Sequence, residues 1–121
     1  MNLVDTNIVL RYLLDDHPEM SAQSRDILQS AQILLTTQVI AEIIYVLNGV
    51  YNVKRQEITI ALHQVIEMTN VHLENNEVTR LAIREYAETN LDFVDLLLYA
   101  LHQVTGMPVK TFDKGLLRKL G

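Results

Sequence analysis

Apolar residues recur along this chain with two spacings. Short apolar clusters at 2–4, 33–35 and 71–73, and the segment Pro108-Val109-Lys110-Thr111, are only three or four residues long and read as strands. Between them, apolar positions three and four apart mark helices. Ile8, Leu10, Tyr12, Leu13 and Leu14 form the first, which follows the capping sequence Asp5-Thr6-Asn7 and runs to Asp15-Asp16. His17-Pro18 breaks it, and Pro18 opens a second helix over 19–31. Thr36-Thr37 caps a third, over 37–50, that is apolar almost all round: Val39, Ile40, Ile43, Ile44, Val46, Leu47 and Val50. A fourth over 55–69 places Ile58, Leu62, Val65 and Ile66 on one face. Helices over 77–89 and 92–104 follow, the second stopped by Gly106, and a short helix over 114–120 ends the chain. Strands that alternate with one or two helices predict an α/β fold. The expected architecture is one domain over 1–121, with a short parallel sheet of four to five strands and helices on both faces.

Composition narrows the chemistry. The chain has 121 residues, 49% hydrophobic and 21% charged, enough for one buried core. It has no cysteine, which excludes a disulfide framework, an iron–sulfur cluster and a cysteine nucleophile. The opening Met1-Asn2-Leu3-Val4 meets Asp5 without a basic region and a long apolar run, and no apolar run reaches bilayer length. A soluble, cytoplasmic protein with no membrane association is expected. The net charge of −5 and pI near 5.2 weigh against sequence-independent nucleic-acid binding. The weight of that objection depends on where the acids sit.

In open parallel sheets, sites form outside the carboxyl ends of the strands. Asp5 follows the first strand, and Asp113 lies two residues past Thr111 at the end of the last expected one. Glu42 sits in the second turn of the helix after the second strand. Asp92 and Asp95 begin the helix before the fourth strand and share a face. Each has a plainer reading. Asp5 and Asp92 suit helix caps, Asp113 a turn, and Glu42 a solvated face, although its apolar neighbours Ala41, Ile43 and Ile44 favour a buried acid with a partner. Taken together, four or five carboxylates expected at one edge would repel, and no run of Lys or Arg adjoins Asp5 or Asp95 to offset them. A divalent cation answers that problem. An all-oxygen donor set with no cysteine and no paired histidine selects Mg²⁺ or Mn²⁺. Such an ion activates water and stabilises in-line displacement at a phosphodiester.

The opening Val4-Asp5-Thr6-Asn7-Ile8-Val9-Leu10-Arg11-Tyr12-Leu13-Leu14 resembles the start of PIN-domain ribonucleases. Leu91-Asp92-Phe93-Val94-Asp95-Leu96-Leu97-Leu98-Tyr99-Ala100 resembles their third acidic motif, and Val109-Lys110-Thr111-Phe112-Asp113-Lys114 their fourth. Ala41-Glu42 falls at the second acid. The motifs follow in order along the whole chain, with one departure: Leu96 stands where an alanine is usual. The resemblance implies a PIN-like fold and a metal-dependent endoribonuclease, the toxin of a VapC-like toxin–antitoxin pair. It implies Asp5, Glu42, Asp95 and Asp113 as catalytic acids, with Asp5, Asp95 and Asp113 on the metal. Thr6, Asn7, Asp92 and Thr111 would hold carboxylates and waters in place.

Several expectations follow. Arg11, Lys110 and Lys114 are candidate phosphate contacts, with Arg118 and Lys119 nearby; a solvated terminal helix is the plainer reading. Two divalent cations on the acids would bring the molecule close to neutral. The high apolar fraction suggests a homodimer. The surplus apolar face of the 37–50 helix suggests a groove for an antitoxin segment at Ile44, Tyr45, Leu47 and Tyr51, unless a homodimer buries it. Rival readings are weaker. A receiver domain needs an Asp after its middle strand, where Leu73-Glu74-Asn75-Asn76 has none. A haloacid-dehalogenase phosphatase needs Asp where Asn7 stands. A non-catalytic interaction module stays open. His17, His63, His72 and His102 show no ligand spacing, and Ser21, Ser24 and Ser30 no nucleophile elbow.

Overall fold

The computed structural model describes all 121 residues. Ten elements follow in order: β1 (Asn2–Leu3), α1 (Thr6–Leu14), α2 (Pro18–Ser30), β2 (Ile33–Leu35), α3 (Thr37–Gly49), α4 (Arg55–Ile66), β3 (Val71–Leu73), α5 (Asn76–Glu88), α6 (Phe93–Thr105) and α7 (Lys114–Leu120). The chain gathers into two compact units, Met1–Glu74 and Asn75–Gly121.

The first unit holds the sheet. Its order is β1-β2-β3 and both pairings are parallel, with Asn2 opposite Ile33 and Leu35 opposite Leu73. On one face Ile33, Leu35, Val71 and Leu73 are buried, and Leu28, Ile40, Ile43, Ile58 and Leu62 join them in the core. On the other, Leu3 and His72 are exposed. Local chemistry sets the helix ends. The Thr36 hydroxyl accepts from the Val39 N–H at 3.2 Å, and Pro18 occupies the first turn of α2. His17, expected only as a breaker, caps α2: its Nδ1 accepts from the Met20 N–H at 3.1 Å. Asn70 donates to the carbonyls of Leu28 and Ala31 at 2.6 and 2.7 Å, closing the end of α2.

The second unit is helical. Val78, Ala82, Ile83 and Tyr86 of α5 and Phe93, Leu96 and Ala100 of α6 are buried. Tyr86 and Phe93 meet edge to face with centroids 6.2 Å apart. Leu96, the departure in the third motif, is a fully buried core residue. The Lys119 ammonium bonds Glu85 at 2.8 Å and lies 4.9 Å from the Tyr99 ring centre, tying α7 to α5 and α6. Gly106 ends α6 with φ 77°, a left-handed conformation that glycine adopts without strain.

Two expectations are corrected. The sheet has three strands rather than four to five, because residues 108–111 form no ladder. Pro108 brings no N–H, and the segment, with Val109 its one large apolar side chain, lacks the partner that a strand needs. The α3 groove is also absent: Ile44 and Leu47 are 3% and 2% exposed and belong to the core. The helix is apolar on several sides because it packs against both α1 and α4.

Candidate active site

In the first unit the candidate residues lie at the start of α1 and in the second turn of α3. Asp5 occupies the N-cap of α1, and its Oδ1 accepts from the Ile8 N–H at 3.1 Å. The plainer cap reading is therefore realised, and it orients the carboxylate at the helix N-terminus, where the dipole favours negative charge. The next residue, Thr6, donates its hydroxyl proton to Glu42 Oε2 at 2.6 Å. Glu42 thus has the partner its apolar neighbours call for, although it is exposed rather than buried. Asn7 is exposed on the first turn of α1. The base of α3 is held by Glu74, whose Oε1 accepts from the Thr37 N–H at 3.0 Å.

Arg11 has a different setting from the phosphate contact expected of it. Its guanidinium bonds Asp16 at 2.7 Å and Tyr51 Oη at 3.4 Å, and its side chain is 15% exposed. The Tyr51 hydrogen bond, ahead of the Asp16 charge, holds its pKa above the ordinary value against the opposing effect of burial. Arg11 is thereby committed to fastening α1 to the chain after α3. Tyr51 is engaged by the same bond, which leaves Tyr45, 77% exposed, as the open aromatic of this region.

In the second unit the charges of two acids bear on a third, Asp95. Asp95, in the first turn of α6, is half-buried. Burial, then the charges of Asp113 and Asp92, push its carboxyl above the usual range. Asp92 stands at the N-cap of α6 without a side-chain cap bond, so the cap expected of it is not made. Asp113 caps α7: its Oδ2 accepts from the Leu116 N–H at 2.7 Å, while the Thr111 hydroxyl accepts from the Asp113 N–H at 3.0 Å. Gly115 keeps this corner tight, since a Cβ there would stand 3.3 Å from Asp113 Oδ2. Lys110 and Lys114 are exposed on either side of Asp113.

The chemistry is that of hard oxygen donors with mutual repulsion. No group of three or more His, Asp or Glu side chains stands close enough together to hold a metal ion as they are. The donor set nevertheless suits a divalent cation, because carboxylates crowding Asp95 are what such a charge relieves.

The PIN domain family model matches residues 3–121. The chain belongs to the PIN domain family. The match runs through both units and contains all four acidic positions. No curated protein and no solved structure matches. The PIN domain is in general a nuclease fold, typically one that uses divalent metal ions and acts on nucleic acid. No helix of this PIN protein is long and apolar enough to cross a membrane.

Two features escaped the sequence reading. The Arg11–Tyr51 bond joins residues 40 positions apart, and no local pattern announces it. Phe112, between two lysines and beside Asp113, carried a signal: a lone aromatic in a basic stretch.

Proposed function

We propose that this PIN protein is a Mg²⁺- or Mn²⁺-dependent endoribonuclease and the toxin of a VapC-like toxin–antitoxin pair. The observation that carries the reading is the PIN domain family match over residues 3–121, which spans Asp5, Glu42, Asp95 and Asp113. Asp5, Glu42, Asp95 and Asp113 are the catalytic acids, and Asp5, Asp95 and Asp113 are the metal ligands. When bound, the ion supplies an activated water and stabilises charge on the phosphodiester. The chain's own groups do the positioning. Thr6 fixes the Glu42 carboxylate, the Ile8 N–H fixes Asp5, and Thr111 with the Leu116 N–H fixes Asp113. Lys110 and Lys114 supply positive charge beside Asp113 for the substrate's phosphates. Asn7 and Asp92 would hold waters beside the acids.

The protein acts in the cytoplasm as a homodimer, and the antitoxin engages the exposed side of α3 at Tyr45. The deciding experiment is cleavage of total RNA by purified protein with Mg²⁺, Mn²⁺ or chelator. Metal-dependent cleavage that Asp5→Asn and Asp95→Asn abolish supports the reading. Variants that cleave as fast as the wild type, with contaminating nuclease excluded, overturn it.

A further inference from the structure

The segment between α6 and α7 ends in a side chain with no structural duty. Phe112 is 102% exposed, more than any other large apolar residue of the chain. Full burial of a phenylalanine stabilises a fold by roughly 1.5–3 kcal/mol, and this ring contributes none of it. Its backbone is nevertheless held on both sides. The Thr111 hydroxyl accepts from the Asp113 N–H at 3.0 Å, and Asp113 in turn accepts from the Leu116 N–H at 2.7 Å, seating α7. The ring is thus presented to solvent from a fixed turn.

Its surroundings say what would cover it. Lys110 and Lys114 lie two residues to either side and are exposed, and Arg118 follows one helical turn beyond Lys114 on the same face of α7. None of the three makes an ion pair, whereas Lys119 next to them is committed to Glu85 and Tyr99. An apolar protein surface would satisfy the ring and leave the cations in place without a role. A nucleic-acid strand answers both, because a base offers a flat π-face and its flanking phosphates offer negative charge.

We propose that Phe112 is a stacking platform for one unpaired RNA base, with Lys110 and Lys114 holding the adjoining phosphates. This rests on the nuclease reading only in taking RNA as the substrate, and it narrows that substrate to single-stranded RNA. In a duplex each base face is already covered by its neighbours, so the ring has nothing to stack on.

The test is fluorescence anisotropy of the full-length protein with a 2′-O-methyl RNA oligonucleotide, which resists cleavage, in chelator-treated buffer. Phe112→Ala should weaken binding of the single strand about ten-fold, within the range expected for one stacked base. Phe112→Trp should restore it, and binding to the same sequence as a duplex should be unchanged by either substitution. The pair Lys110→Ala and Lys114→Ala should lower the slope of log affinity against log salt by about 1.4, at about 0.7 per single-strand phosphate contact. The proposal is overturned if the wild type does not bind the single strand, if Phe112→Ala binds it as the wild type does, or if single strand and duplex weaken alike. It is also overturned if the main effect of Phe112→Ala is a smaller sedimenting species, which assigns the ring to self-association. Binding that depends on Phe112 without metal-dependent cleavage leaves the platform and removes the nuclease. Cleavage with Phe112-independent binding does the reverse.

Discussion

Asp5 has two duties that substitution can separate. Its Oδ1 caps α1 through the Ile8 N–H, and its charge is assigned to the metal site. Asparagine offers the same acceptor atom at the same reach, and alanine offers none. Losing an N-cap acceptor costs about 1 kcal/mol. At roughly 2.1 cal/mol/K of unfolding entropy per residue, a chain of 121 residues loses about 4 °C in melting temperature for each kcal/mol. Helix α1 is worth that cap, since it brings Val9 and Leu10, 0% and 6% exposed, into the core. Thermal melts in chelator should therefore place Asp5→Ala about 4 °C below the wild type and Asp5→Asn within about 1 °C of it. In Mn²⁺, both should lose cleavage by orders of magnitude. An Asp5→Ala variant that melts with the wild type would refute the capping argument. An Asp5→Asn variant at full cleavage rate would refute the charge argument and leave the cap intact.

The raised Asp95 carboxyl has a definite pH signature. A group whose folded pKa lies above its unfolded value contributes stability that is complete below the unfolded value and is lost as pH rises through the folded one. In chelator, Asp95→Asn should therefore melt above the wild type at neutral pH, with the gap closing as pH falls toward about 4; a lower melting temperature at pH 7 would contradict the cost of burying this charge beside two others. Mn²⁺ at about 100 times its dissociation constant should stabilise the wild type by about 2.7 kcal/mol and Asp95→Asn by clearly less, and an unchanged melt across the titration would count against a metal site. Ile44→Asp, placing a carboxylate at a site 3% exposed, should cost more than about 3 kcal/mol in urea denaturation, while Tyr45→Ala stays within about 0.5 kcal/mol. Antitoxin co-purification is then informative only for Tyr45→Ala, where full yield would sink the α3 contact. Asn70→Asp should cost about 1–3 kcal/mol, because a carboxylate cannot donate to the Leu28 and Ala31 carbonyls; unchanged urea stability would show that water replaces the amide.

Much of this protein is legible from residues close in sequence. Helix starts at Asp5, Thr36 and Asp113 and stops at Gly106 follow from side-chain acceptors and a left-handed glycine, interactions that span three or four residues. The settings of Asp5, Glu42 and Asp95 are legible for a similar reason, since they lie just past a strand or in a first or second helical turn. Asp113 is expected past the end of a strand that does not form, and its setting is the N-cap of α7. What depends on distant partners was not legible. A strand at 108–111 needs a ladder, and a short segment between a helix stop and a turn does not create one by itself. The apolar residues of α3 look like surplus until α1 and α4 are seen to take them, which turns Ile44 and Leu47 from groove into core. Arg11 is basic in any reading, but its bond to Tyr51, 40 positions away, needs the folded chain, and Thr6 reaches Glu42 across 36. Hydrogen bonds within a turn are dictated by the residues that make the turn. Bonds and burial between elements depend on which faces the folded chain brings together, and that choice is made by the tertiary structure alone.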